Sequence, residues 1–430
     1  MLKSIKSFLI PLFGLIFLSE SISLCAKDNV VRLTYWPSSN PEEIELATSI
    51  VDEWNRTHPY IQVDMQPLPA SQSSEEVLFT AVAAKTTPDI CSNIWPGIVP
   101  EFALANALVA LDKFKDFWDV AFLRTTKNIL ESFISKNGHI YQMPWKGNPI
   151  MMEYNVRLLR DAGIFKPPRT YAEFMNAAKE LTRDTDGDGT IDQWIGIINV
   201  NPVWWHRFFD FYSLYIAASR GRTLFENGKV DFNNEYAKDV FRFLQEGFKK
   251  KYFPMGTLQG NQFLLEHVAI QFVGPWDIGF LEKNKPENFE YDFAPLPVPE
   301  GTPEPILTYS DPKNIVIFST TKHPEEAWEF VKFLISKEND LQLLKITYQM
   351  PFRKDLDIDP AFKKYFKENP KTLKFAKQIS YTRGTDNIPQ LKEIFDAIAQ
   401  AFEYCCVYGQ QTPEDAIKNA TEICKQIIER

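Results

Sequence analysis

Cysteine is scarce: Cys25, Cys91, Cys405, Cys406 and Cys424 are the five in 430 residues. There is no Cys-x-x-Cys pair and no Cys/His spacing suited to a metal, so zinc and thiol chemistry have no motif to rest on. Cys405 and Cys406 are neighbours that point to different sides of a helix. The simplest reading of the set is buried small hydrophobes with at most one bridge. The histidines, His58, His139, His206, His267 and His323, are scattered. No Gly-x-Ser-x-Gly elbow, no Gly-x-Gly-x-x-Gly turn and no phosphate loop occurs. A glycosidase would need two carboxylates ~5–9 Å apart across the scissile bond; acids are plentiful, but no local motif pairs them. Lys and Arg form no block, and the formal net charge of -9 argues against a nucleic-acid partner. After the first few dozen residues no apolar run is long enough to span a bilayer.

The start of the chain reads as an export signal. Lys3 and Lys6 precede a short apolar run, Phe8 to Leu18, and small residues follow up to Ala26. Residues 1–25 are assigned to this leader. Two fates stand side by side: cleavage by a general signal peptidase after Ser23 or Ala26, or lipid modification of Cys25, where Leu24 is a poor preceding residue. The product is exported, either free in the periplasm or anchored at the outer face of the cytoplasmic membrane. The anchor would be its only membrane association.

The chain is rich in aromatics, with 34 Phe, 16 Tyr and 10 Trp making 14% of it. Most of these rings must fill cores. Val30 to Tyr35 reads as a strand, Pro41 to Trp54 as an amphipathic helix, and Ile61 to Met65 as a strand. Ser74 to Lys85 is a helix capped at Ser73 or Ser74, and Ile90 to Ile94 a buried strand. This succession predicts an α/β domain with a mostly parallel sheet, whose ligands sit beyond the carboxyl ends of the strands. A second region opens with a strand at Ile150 to Asn155. A helix from Tyr171 to Leu181 has Thr170 as its cap, and strands follow at Val268 to Val273, Phe293 to Leu296 and Ile315 to Phe318. Trp54, Trp118 and Trp328 lie at helical spacing on apolar faces and read as core.

Several segments, in order, resemble motifs of one family. They include Thr87-Pro88-Asp89-Ile90, Asn137 to Pro144, Glu153 to Phe174 with its Gly163-Ile164 and Pro167-Pro168-Arg169-Thr170, and Gly274-Pro275-Trp276. Phe293 to Pro297, His323 to Phe330, Asn387 to Gln390 and Thr412 to Ala416 complete the series. The chain thus resembles, over nearly its whole mature length, the family-1 extracellular solute-binding proteins, a group that includes maltose-binding protein. The resemblance implies a type II periplasmic-binding-protein fold: two α/β lobes with a cleft between them. The chain would cross between lobes three times, near Lys146-Gly147, Ser310-Asp311 and Gln349-Met350. Residues 28–146 with 312–348 would form the first lobe, and 147–311 with 349–430 the second. The implied function is capture of a carbohydrate for the permease of an ABC importer, by a monomer that is not an enzyme and requires no cofactor. Other readings are a receptor for a non-sugar solute such as glycerol phosphate or a polyamine, and a sensory lipoprotein of the same fold.

A sugar offers hydroxyls around a rim and flat C–H faces, so its site needs aromatic planes and polar side chains. Loops expected at the cleft supply both. The first lobe offers Trp36, Ser38, Asn40 and Trp95. The first crossing offers Trp145 and Asn148, the second Tyr309 and Asp311, and Arg353 follows the third. The second lobe offers Trp204, Trp205, Trp276, Asp277 and Phe395. By the resemblance, Trp276 falls where the family commonly stacks on its ligand, and Phe395 where maltose-binding protein has another stacking tryptophan. Asn148 falls where that protein has an acidic ligand contact. One further stretch, Asp184, Asp186, Asp188, Thr190 and Asp192 with Gly at the fourth and sixth positions, has the alternating oxygens of a calcium loop. The twelfth position is Ile195 and not Glu, so the loop reads either as a truncated structural calcium site or as a polar turn held by its own Asp side chains.

Overall fold

The computed structural model describes residues 30–69, 73–226 and 228–429; the leader and Cys25 lie outside the described residues. The strands are β1 (Val31–Trp36), β2 (Ile61–Met65), β3 (Ile90–Ile94), β4 (Met143–Pro149) and β5 (Met151–Asn155). Then come β6 (Trp194–Gly196), a small hairpin of β7 (Phe225–Glu226) and β8 (Lys229–Val230), β9 (Val268–Val273), β10 (Tyr291–Ala294), β11 (Thr308–Ile317) and β12 (Thr382–Arg383).

Two mixed sheets carry the architecture. The first has the order β12-β11-β3-β1-β2, with β4 also on β11; β1 runs parallel to β2 and β3, while β11 is antiparallel to β3 and β4. The second has the order β10-β5-β9-β6, antiparallel except for β6 beside β9. The sheets are therefore less parallel than the strand–helix alternation predicts, because β11 runs antiparallel to β3 and β4 in the first sheet and β5 antiparallel to β10 and β9 in the second.

Local signals explain where the helices start. Pro41 opens the helix Pro41–Thr57, and Glu42 and Glu43 complement its positive end. The Ser73 hydroxyl accepts from the amide of Glu76 at 3.2 Å and that of Thr170 from Glu173 at 3.2 Å, caps worth about 1 kcal/mol each. Trp54 and Trp328 are buried as predicted, but Trp118 is 40% exposed, its helix turning that face outward. Cys91, Cys405, Cys406 and Cys424 are all buried and free, without a bridge among them.

The sequence pattern misses β4, because Pro144, Lys146, Gly147 and Pro149 read as loop. The strand is nonetheless buried throughout. It pairs with β11 along its length and, at Trp145 to Gly147, with Met350 to Phe352 on its other side. There Asn148 faces Asp311, and the Gly147 amide donates to the Met350 carbonyl at 3.0 Å. The three segments expected to cross between lobes thus lie side by side. A Cβ on Gly147 would come within 2.6 Å of the Phe352 ring, so the close approach requires glycine.

Candidate functional site

β1 and β3 end at Trp36 and Ile94, and the chain leaving them turns over the same side of the first sheet. Ser38, Asn40, Glu43, Ser74 and Asn93 gather there with Asp311, Lys313 and Gln349 from the crossing segments. From the second sheet come Trp276, just beyond β9, and Trp205, on the turn Trp204–Phe208. Together they enclose a cavity of about 770 Å³. Its position is the one that open α/β sheets reserve for ligands.

The floor is a buried polar knot. Lys146 Nζ donates to Glu43 Oε2 at 2.6 Å, and Gln349 Nε2 to Glu43 Oε1 at 2.7 Å. Asn148 Nδ2 donates to Gln349 Oε1 at 3.0 Å, and Asn148 Oδ1 accepts from the Met350 amide at 3.1 Å. Burial pushes the Glu43 carboxyl up, but the Lys146 charge and the Gln349 amide outweigh it and hold it below the usual range. One carboxylate at the head of a first-sheet helix is thereby bonded to two of the three crossing segments.

The opposite wall is aromatic. The Trp276 indole folds back over Gly274, where a Cβ would come within 2.1 Å of the ring. Phe209 meets its edge at 6.0 Å, and Trp205 is 42% exposed. Behind this wall Gln271 Nε2 donates to Glu153 Oε2 at 2.6 Å and to Asp277 Oδ2 at 3.1 Å. Burial, then the neighbouring Asp277 charge, pushes Glu153 far up, and burial pushes Asp277 up. The pair keeps a proton to higher pH than ordinary carboxyls do.

The structure brings Ser38, Asn40, Trp205, Trp276 and Asp311 to the cavity, with Asp277 directly behind it. Others lie elsewhere, for physical reasons. Trp95, Trp204, Tyr309 and Phe395 are buried in an aromatic cluster around Phe208, with ring centroids 5.2, 5.9, 5.1 and 4.1 Å from it. Their faces cover one another and not a ligand. Trp36 is half-buried against the same core. Trp145 is buried, its ring covered by Lys146 Nζ at 4.5 Å from the centroid. Asn148 is 1% exposed and ties crossing segments together. Arg353 pairs with buried Asp340, which Arg124 also holds at 2.5 Å.

Sequence reasoning missed Glu43, Ser74, Glu76, Asn93, Lys313 and Gln349. Two of these carried a signal: Lys313 lies two residues beyond Asp311 and so shares its strand face, and Gln349 stands at a predicted crossing. Away from the cavity, Asp184, Asp186 and Asp188 bring carboxylate oxygens within 4.8 Å of one another. Asp184 accepts from the amides of Gly187 and Gly189 at 2.6 and 2.7 Å, and Asp188 from Thr190 at 2.7 Å. Asp192 instead accepts from the Thr185 amide and hydroxyl.

The family described as bacterial extracellular solute-binding protein matches residues 39–340. A maltotriose-binding protein of Pyrococcus abyssi is 21% identical over 86% of this chain and 77% of its own length. A galactooligosaccharide-binding protein of Bacillus subtilis is 24% identical over 71% of this chain and 70% of its own. Among solved structures, an uncharacterized Listeria monocytogenes protein superposes with TM-score 0.77 at 25% identity, covering 92% of this chain and all (100%) of its own. The sugar-binding protein MalE of Xanthomonas citri gives 0.75 at 20%, covering 93% and 98%. The two mixed sheets are those of the periplasmic-binding-protein fold.

Proposed function

This chain belongs to the bacterial extracellular solute-binding proteins, which bind and do not catalyse, and on that premise we propose that it captures a carbohydrate between its lobes and hands it to the permease of an ABC importer. The observation that carries the proposal is Trp276. Its indole lies over Gly274 and faces a wall of hydroxyls, amides and carboxylates. A sugar ring needs that pairing: a flat surface for its C–H face, and donors and acceptors around its rim. The names of the relatives point the same way, to oligosaccharides. The lobe division at 28–146 with 312–348, the export leader and the anchor at Cys25 belong to the same proposal. No helix of the described residues is long and apolar enough to cross a membrane, which accords with a receptor held at the surface by a lipid or released.

The test is a thermal-shift screen of the mature protein against mono- and oligosaccharides, polyamines and phosphorylated polyols. A ligand at one hundred times its Kd stabilises the folded state by about 2.7 kcal/mol, enough to raise Tm by several degrees. One carbohydrate should do so, and the other classes should not. Stabilisation by polyamines or phosphates alone would refute the sugar assignment.

A further inference from the structure

Trp205 and Trp276 border two spaces. Beyond the ends of β6 and β9 lies a chamber of about 530 Å³ that shares both indoles with the polar cavity. We propose that this chamber takes an apolar substituent, an alkyl or aryl aglycone, of the ligand whose sugar part lies in the polar cavity; the inference rests on the carbohydrate reading.

Hydrogen bonding decides what the chamber can accept. Ile197, Val200, Phe209, Leu258, Phe272 and Val273 line the chamber, whose surface is mainly apolar. Much of the hydrogen-bonding capacity of the polar side chains that reach it is committed inside the protein. Asp210 Oδ2 holds Arg207 Nη2 at 2.9 Å, and its Oδ1 accepts from the Phe211 amide at 2.5 Å. Gln271 spends its amide N–H groups on Glu153 and Asp277. Asn199 Nδ2 lies 3.2 Å from His206 Nε2, and Asn199 Oδ1 accepts from the Asn201 amide at 3.0 Å. Among the described residues, Thr257, His206 Nδ1, Gln271 Oε1 and the indole N–H groups of Trp205 and Trp276 remain open, too few to replace the hydration of a whole sugar ring. A sugar ring placed here would lose water from most of its hydroxyls without replacement, which is costly. A hydrocarbon group would lose nothing and gain burial. The polar cavity next door has the opposite character, with Ser74, Glu76, Asn93 and Lys313 facing it. A ligand spanning the indoles must match both, and an amphipathic glycoside does. The chamber's volume lies in the usual range for small-molecule sites, about 300–1,000 Å³.

Two measurements test this. The first titrates the mature protein with the apolar fluorophore N-phenyl-naphthylamine. Saturable binding at one site is expected, weakened at least tenfold by Leu258→Asp and by Val200→Asp. Both residues lie on loops outside the helices and strands, and circular dichroism checks that the variants fold. The second takes the sugar found by the thermal-shift screen and compares its methyl and hexyl glycosides on the parent protein, which needs no variant. Each methylene fully buried in the chamber adds about fourfold in affinity, so the hexyl glycoside should bind at least tenfold more tightly. Absence of saturable fluorophore binding, binding that both variants leave intact, or a hexyl glycoside no tighter than the methyl would each overturn the proposal. If the screen finds no sugar at all, the carbohydrate reading fails, and the fluorophore titration decides the chamber by itself.

Discussion

Trp95-Pro96-Gly97 and Gly274-Pro275-Trp276 read almost as mirror images, each at the carboxyl end of a central strand, β3 and β9. In both, the indole lies over the glycine two residues away: a Cβ would come within 2.1 Å of the ring at Gly97 and at Gly274 alike. Their fates differ. Trp95 is 2% exposed, its face covered by Trp204 and Phe208 at 5.1 and 5.2 Å. Trp276 meets Phe209 edge-on and keeps its other surface free for the cavity. The local turn presents a flat ring at a strand end; the neighbour that arrives from elsewhere in the chain decides whether the ring becomes core or stays open to the cavity.

Mutation can break this comparison at either turn. The largest effect is expected from Trp95→Ala, which empties a packed aromatic site and should cost about 3–5 kcal/mol of stability, read as a lower urea midpoint. Trp276→Ala should do the reverse. Ligand affinity should fall by about 2 kcal/mol or more, roughly thirtyfold, with a much smaller change in the midpoint. If the two variants lose stability equally, the distinction between the turns fails. Gly274→Ala comes next: the added methyl evicts the indole, and affinity should fall about tenfold in calorimetry, whereas Gly97→Ala should show its cost of about 1–3 kcal/mol in stability.

The smallest effect concerns pH. Glu153 and Asp277, behind Trp276, have carboxyls raised by burial, so the folded chain binds protons that the unfolded chain releases. Their contribution is fully present below the ordinary carboxylate range near pH 4 and is lost as pH rises through the raised values. Glu153→Gln should therefore flatten the fall of Tm between pH 5 and pH 8, leaving the variant at least as stable as the parent at pH 8. A steeper fall in the variant would show that the pair is not the source.

Much of the fold was legible because it is written locally. Ile61–Met65, Ile90–Ile94, Tyr171–Leu181 and Val268–Val273 fall where alternation, helical spacing and caps place them. β4 was not legible: its prolines, glycine and lysine make sense only beside β11 and Met350, each more than 150 residues away. The site divides in the same way. Strand-end loops placed Ser38, Asn40 and Trp276 at the cavity that they line, because topology fixes where such loops gather. Trp95, Tyr309 and Phe395 misled, since an aromatic ring in a core and one on a cleft look alike until their partners are known. Glu43 read as an ordinary acid in the first turn of a helix, and its burial depends on Lys146, 103 residues later.

The knot of Glu43, Lys146, Gln349 and Asn148 constrains how this receptor can be retuned. Breaking a buried ion pair by removing one member costs about 3–5 kcal/mol, and here the same substitution would also loosen the segments that the knot ties together. Variation for a new solute, whether by selection or by design, is therefore steered away from the floor and onto the rim: the serines after β1, Asn93, and the side chains that flank the two indoles. Solute preference can drift while the buried knot is inherited intact.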